Sequence, residues 1–170
     1  MKIVCFLVLI AIGAPYVSGQ QSIQKTLEKW NDGSVPYVSV AAASKTGNSL
    51  FLDAREKDEY DVSHLENAIW IGHKAFQADS VLGKITDHNT PLVVYCSIGV
   101  RSEDIGKKLM ALGYTNIKNL YGGIFEWKNK GYPVFDPMGK ETEKVHAFNK
   151  HWGKLLVKGE KVYGVDYSEQ

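Results

Sequence analysis

The residues predict an α/β layered domain, a parallel sheet covered by helices. Five short apolar runs carry that expectation: "YVSV", "LFLD", "AIWIG", "PLVVY" and "NIKNLY" alternate with helical patterns between Pro36 and Pro133. Several are continuous rather than alternating, as strands buried on both faces of a sheet are. Size agrees with one such domain, because 170 residues at 44% hydrophobic and 23% charged fill a single core. No internal repeat and no low-complexity stretch interrupts the chain.

At the N-terminus, Lys2 precedes an apolar run from Ile3 to Ile12, followed by small and turn-forming residues ending in Val17-Ser18-Gly19. This is the pattern of a secretory leader, residues 1–19, with cleavage before Gln20. A retained membrane anchor is the competing reading, disfavoured because the run is well short of the ~20 residues that cross a bilayer. Cys5 lies inside the apolar run, too early to be a lipid-modified first residue. The mature protein is therefore expected to be exported, periplasmic or secreted, with no membrane attachment after cleavage. Losing Lys2 with the leader takes the formal net charge from +1 to zero, which argues against a nucleic-acid partner. The same cut removes one of the two cysteines and leaves Cys96 alone in an oxidising compartment. Such a thiol is buried and inert, paired with another chain, or kept for its chemistry.

The elements follow in order. Ile23, Leu27 and Trp30 recur at spacings of four and three, predicting a short amphipathic helix over Gln20 to Asn31 that Asp32-Gly33-Ser34 ends. This N-terminal segment, 20–35, leads into the sheet domain, 36–135. Beyond Pro133 the chain turns through Asp136-Pro137-Met138-Gly139 into a last helical pattern with Val145, Phe148, Trp152, Leu155 and Leu156 near one face. Residues 136–170 are read as a C-terminal helical extension and tail. A helix packed on the domain is preferred there to one that binds a partner, because apolar stripes at helical spacing are usually core. Gly159 to Gln170 is expected to be loosely held.

The chemistry concentrates in "PLVVYCSIGVRSEDIGKKLMALGY", where a buried-strand pattern runs directly into Cys96 and a helical pattern begins about six residues later. Ser102 is a good N-cap, Glu103 and Asp104 complement the positive helix end, and Gly113 can stop the helix. Ile105, Leu109 and Leu112 form its buried stripe. Ligands of open α/β sheets bind beyond the carboxyl ends of the strands, where Cys96 sits. Between strand and helix the chain must curl through Ser97-Ile98-Gly99-Val100, so successive amides can face inward and favour an anion at the centre. A thiolate or persulfide is such an anion. Arg101 adds positive charge at the loop exit, and Gly99 permits a backbone conformation that a side chain resists.

Three stretches resemble the rhodanese family of persulfide-forming sulfurtransferases. "LDAREKDEYDVSHLENAI" is similar to the family's first motif through Asp53, Arg55, Glu59, Tyr60, His64, Leu65 and Ala68, with Ser63 and Asn67 where glycine is more usual. "YCSIGVRS" resembles its active-site loop. "LYGGIFEWKNKGYPV" resembles its closing motif, with Gly122, Gly123, Trp127, Gly131 and Pro133 in place. The resemblance spans about Tyr37 to Val134. It implies a three-layer domain with a parallel sheet of about five strands, Cys96 as sulfur acceptor, and Ser97, Ile98, Gly99, Val100 and Arg101 as its cradle. It implies neither a metal nor an organic cofactor. Phosphatase relatives that share the fold place the arginine one position later, so phosphate-ester hydrolysis ranks low.

Asp53 and Arg55 are expected to support the site by ion pairing rather than by chemistry, with Ser102 a further support, and His64 is expected to serve as scaffold. The implied reaction moves sulfane sulfur from a small donor such as thiosulfate to a thiol or cyanide acceptor, with a protein acceptor also conceivable. The alternative is a rhodanese-like module that relays sulfur or binds a protein without turnover. A redox thiol acting on other proteins would need the second cysteine of a Cys-x-x-Cys site, absent here.

Overall fold

The computed structural model describes residues 14–164 of the chain. Most of the predicted leader, residues 1–13, lies outside the described residues. The first helix, α1 (Ala14–Trp30), runs across the position expected for cleavage and ends where Asp32-Gly33 was expected to end it. It buries Ile23 and Leu27, but Trp30 stands 62% exposed instead of completing the stripe. β1 (Tyr37–Val38) is shorter than the "YVSV" run because the Ser39 hydroxyl accepts the Ala42 amide at 3.2 Å and caps a helical turn, α2 (Val40–Ala43).

β2 (Leu50–Asp53), α3 (Lys57–Val62), β3 (Ile69–Trp70), α4 (Ala78–Leu82), β4 (Leu92–Tyr95), α5 (Arg101–Ala111), β5 (Ile117–Leu120) and α6 (Gly123–Asn129) follow. The five strands form one parallel sheet in the order β1-β5-β4-β2-β3. The predicted class and strand number are both found.

β4 lies at the centre and is buried throughout, which is why its run is continuous in the sequence. Val93 and Tyr95 face one half of the core with Ile23, Leu27, Ile124 and Phe125, whereas Leu92 and Val94 face the other with Ile105 and Leu109. Two apolar layers on opposite faces of one sheet make the three-layer domain. Tyr95 pairs in register with Asp53, so β2 and β4 end side by side and their loops leave the same edge.

The β2 loop is held by a buried ion pair. Arg55 donates from Nε to Asp53 Oδ1 at 3.0 Å and from Nη2 to Asp53 Oδ2 at 2.6 Å, both side chains having no exposure. Nη2 also reaches the Ser63 carbonyl at 2.6 Å, and the Arg55 amide donates to Asp53 Oδ1 at 2.9 Å. His64 stacks on Tyr60 with ring centroids 4.0 Å apart and bridges to Phe135 through its backbone, which is a scaffold role. Of the two departures from glycine, Asn67 takes the left-handed conformation at φ 55 that asparagine tolerates. Ser63 is extended, and its hydroxyl donates to the Lys144 carbonyl at 2.6 Å.

The C-terminal extension departs from expectation. In place of a helix it forms β6 (Val134–Phe135) paired with β7 (Glu141–Thr142), then β8 (Lys144–His146), a 3-10 turn (Trp152–Leu155) and β9 (Glu160–Val162). β8 and β9 pair in parallel, and Ala147 donates to Val162 at 2.7 Å, so Gly159–Gly164 is tied down; residues 165–170 lie outside the described residues. The helical spacing fails because Phe148 adopts φ 63 and the Asn149 side-chain oxygen accepts the His151 and Trp152 amides, starting a fresh turn. Val145, Leu155 and Leu156 are nevertheless buried, whereas Phe148 is exposed and Trp152 half-buried, so the apolar pattern marked burial at three of its five positions and the period wrongly.

Removing Arg55 would strand the Asp53 carboxylate in the core. Arg55→Ala is expected to cost about 3–5 kcal/mol, read as a lower urea midpoint at unchanged slope.

Candidate active site

Cys96 follows β4 directly and is 1% exposed. Its Sγ accepts the Gly99 amide at 3.1 Å, and the Ser102 hydroxyl lies 3.5 Å away. Gly99 sits at φ 112, the left-handed territory in which it can turn its N–H back on the sulfur. Three of the loop carbonyls are engaged away from the sulfur. Cys96 O accepts Ile124 N at 2.9 Å, Ser97 O accepts Phe125 N at 3.1 Å, and Gly99 O accepts the side-chain amides of Asn31 and Asn119, each at 2.9 Å. Docking α6 this closely requires Gly123, whose φ is 54; a Cβ there would overlap the Cys96 carbonyl oxygen and come within 2.7 Å of the Ser97 carbonyl.

Ser102 is not the N-cap. α5 starts at Arg101 with Val100 before it, and Ser102 turns inward with its hydroxyl 2.8 Å from Asn119 Oδ1. Its single hydrogen serves either that oxygen or the sulfur, and the shorter distance favours the oxygen until the sulfur is ionised. Ser102 thus supports the site from beneath rather than from the helix end.

Arg101 lines the site but its guanidinium is engaged. Nη1 donates to Glu59 Oε2 at 2.6 Å, Nη2 to Glu59 Oε1 at 2.8 Å and Nη2 to Ser97 Oγ at 3.0 Å. Glu59 is 1% exposed, also accepts the Ser97 hydroxyl at 3.1 Å, and its Oε2 accepts the Glu56 amide at the start of α3. Burial pushes the Glu59 carboxyl up, but Arg101 and, more weakly, Arg55 pull it below its ordinary range. For Cys96 burial again opposes ionisation; the charge of Arg101, the Ser102 hydroxyl and amide, and the Gly99 amide outweigh it, so the thiol lies below its ordinary value.

Above the sulfur is a cavity of about 250 Å³. Its floor is Cys96, Ser97, Ile98, Val100 and Arg101, whereas Gly99 lies behind and supplies its amide; the walls are Trp30, Phe148 and Trp152. Arg101 packs on the Phe148 ring, its guanidinium carbon 5.4 Å from the centroid. The loop predicted from Cys96 to Arg101 is therefore assembled as one site. Asp53 and Arg55 do not line the cavity and act as the buried brace of the neighbouring loop. Among the described residues no cluster of His, Cys, Asp and Glu is placed to hold a metal.

Sequence reasoning missed Asn119 and all three walls. Asn119 was findable as a polar residue inside the apolar run "NIKNLY", fully buried on β5. Trp30, Phe148 and Trp152 all read as members of apolar helical stripes facing the core, which hides their place around the cavity.

Because the folded thiol lies below its unfolded value, thiolate stabilisation is full above the ordinary thiol pKa and is lost as pH falls through the lowered one. The rate of Cys96 alkylation by iodoacetamide should therefore inflect below about pH 8.5, the value of a free thiol. Arg101→Gln should move that inflection upward.

Comparison with known proteins bears on this geometry. A family model described as "Rhodanese-like domain" matches residues 38–130. Among curated proteins, a tRNA uridine(34) hydroxylase of Photorhabdus laumondii is 34% identical over 94 residues, covering 51% of this chain and 27% of that protein. One of Pectobacterium carotovorum is 31% identical over 126 residues, covering 69% of this chain and 34% of that one. The chain thus spans about a third of the length of these relatives. Among solved structures, a thiosulfate sulfurtransferase of Pseudomonas aeruginosa superposes with a TM-score of 0.56 at 18% identity, covering 83% of this chain and 26% of that one, a likeness of fold alone.

Proposed function

The chain belongs to the rhodanese-like domain family, and on that premise we propose that it is a sulfurtransferase carrying sulfane sulfur on Cys96. One observation carries the reading: Cys96 Sγ accepts the Gly99 amide at 3.1 Å at the floor of an open cavity. An N–H donor aimed at sulfur stabilises negative charge there whether the group is a thiolate or a persulfide.

The reaction is a double displacement. The Cys96 thiolate attacks the outer sulfur of a donor such as thiosulfate; the donor's S–S bond breaks and sulfite leaves with the bonding pair. A thiolate or cyanide then attacks the outer sulfur of the Cys96 persulfide. The new S–S or C–S bond forms, and Cys96 departs as the thiolate it began as. No metal or organic cofactor enters these steps.

The engagement of Arg101 by Glu59 favours a second, slower form of the same chemistry. A guanidinium already bidentate on a carboxylate attracts a dianion weakly, which suits a sulfur relay with poor thiosulfate turnover. The name tRNA uridine(34) hydroxylase belongs to proteins of which this chain matches about a third. A formal net charge of +1 provides no strong field for nucleic acid, so this reading takes small sulfur compounds as substrates and leaves tRNA out. It also takes the protein to be exported, on the strength of Lys2 and the apolar run that follows.

Incubation with thiosulfate or inorganic polysulfide should raise the mass of the intact protein by one sulfur atom, and Cys96→Ser should abolish the gain. An unchanged mass in the native protein with both donors removes the proposal. Expressed with its native leader in a bacterium that has a periplasm, the protein should be recovered from that compartment with Gln20 first by N-terminal sequencing; recovery from cytosol with Met1 intact would refute export.

A further inference from the structure

We propose that the cavity above Cys96 is a subsite for the apolar body of an organic thiol, which is the acceptor of the persulfide sulfur; this rests on the sulfur-transfer reading above. The walls are three aromatic side chains, Trp30, Phe148 and Trp152, and Ile98 and Val100 extend the apolar surface to the sulfur. Arg101 is the single cationic residue among those lining it, and its charge is matched by a 2%-exposed carboxylate at 2.6 Å. A small hydrophilic anion therefore finds neither a free cation nor a polar wall. An apolar group finds about 250 Å³, more than the about 150 Å³ of dry cavity that suffices to take up benzene.

All three walls come from outside residues 38–130, the stretch that matches the family. Trp30 ends α1, while Phe148 and Trp152 lie in the segment that follows β8, so both flanks of the domain converge over its cysteine. Phe148 reaches this place at φ 63, a conformation that a bulky residue adopts only where its surroundings over-determine it. Here the surroundings are the His146 ring, whose Nδ1 accepts the Phe148 amide at 3.2 Å, and the Arg101 guanidinium against its face. The collar is thus a built feature of this chain laid onto a shared domain.

In the transfer, the thiolate R–S⁻ attacks the outer sulfur of Cys96–S–SH. The S–S bond to Cys96 breaks, Cys96 leaves with the electron pair as thiolate, and R–S–SH carries the sulfur and proton away. The aromatic collar holds R while its sulfur lies in line with the persulfide.

The test uses the full chain after any leader is removed, loaded with polysulfide, and compares sulfur loss to 2-phenylethanethiol and 2-mercaptoethanol by intact mass. Rates are corrected for thiolate concentration and for the reaction of each thiol with a small persulfide. The phenyl thiol is expected to be faster by about tenfold, the effect of burying one ring. Trp30→Ala and Phe148→Ala should each lower that ratio at least about threefold; a ratio is insensitive to the fraction of protein folded. In parallel, 2-phenylethanol, which cannot accept sulfur, should slow iodoacetamide alkylation of Cys96 in the unloaded protein. If sulfur loads but passes equally to both thiols, or if the variants keep the native ratio, the subsite is overturned and sulfur transfer stands. If phenylethanol protects Cys96 yet no sulfur loads, the acceptor role falls together with the sulfur-transfer reading.

Discussion

The loop that begins at Cys96 depends on how its backbone groups are divided. Every buried amide and carbonyl must find a partner, and three carbonyls of this loop find theirs away from the sulfur. Two go to the first amides of α6, and the carbonyl of Gly99 goes to two asparagine side chains on α1 and β5. With the carbonyls committed outward, the Gly99 amide is left to face Sγ. The division holds only while α6 stays pressed against the loop, and that approach rests on Gly123 having no side chain. The surroundings of the sulfur are in this sense set by a helix that contributes no side chain to the cavity.

A second layer of control is electrostatic. Glu59 organises the start of α3 through the Glu56 amide and at the same time receives Arg101 and Ser97 from the sulfur loop. One buried carboxylate therefore ties the two neighbouring strand ends together. It also tempers Arg101: the arginine still lowers the Cys96 thiol through space, yet its donors are already occupied. The arrangement favours an ionised sulfur more than it favours an anionic visitor. Asp53 and Arg55, one strand end away, do mechanical work by fixing the turn at Ser63.

The segments on either side of the matched domain are integrated with it rather than appended. Ser63 ends α3 inside the matched domain, and its hydroxyl holds the Lys144 carbonyl at the start of β8. From there the chain carries Phe148 and Trp152 over the sulfur, where Trp30 meets them from α1. One hydroxyl within the domain and the path of the C-terminal segment are thereby parts of one construction.

Much of this was legible in the residues alone. The continuous run "PLVVY" announced a central strand because a strand buried on both faces has no polar side to show. Its junction with Cys96, a glycine and an arginine marked the site because strand ends, turn chemistry and charge are local properties. Long-range partners were not legible. The run "YVSV" concealed a serine cap, and the apolar residues from Val145 to Leu156 fitted a helical period while belonging to a strand, a turn and a loop. Ser102 read as a helix cap because local rules favour it there, and it turned inward because Asn119, seventeen residues away on β5, provides a better acceptor. The chain's own order thus dictated the class of fold, the strand that presents the cysteine and the loop that curls around it, all encoded over short spans. The occupation of Arg101 by Glu59 and the closing of three distant aromatic rings over Cys96 had to await folding, because they join groups that no local pattern relates.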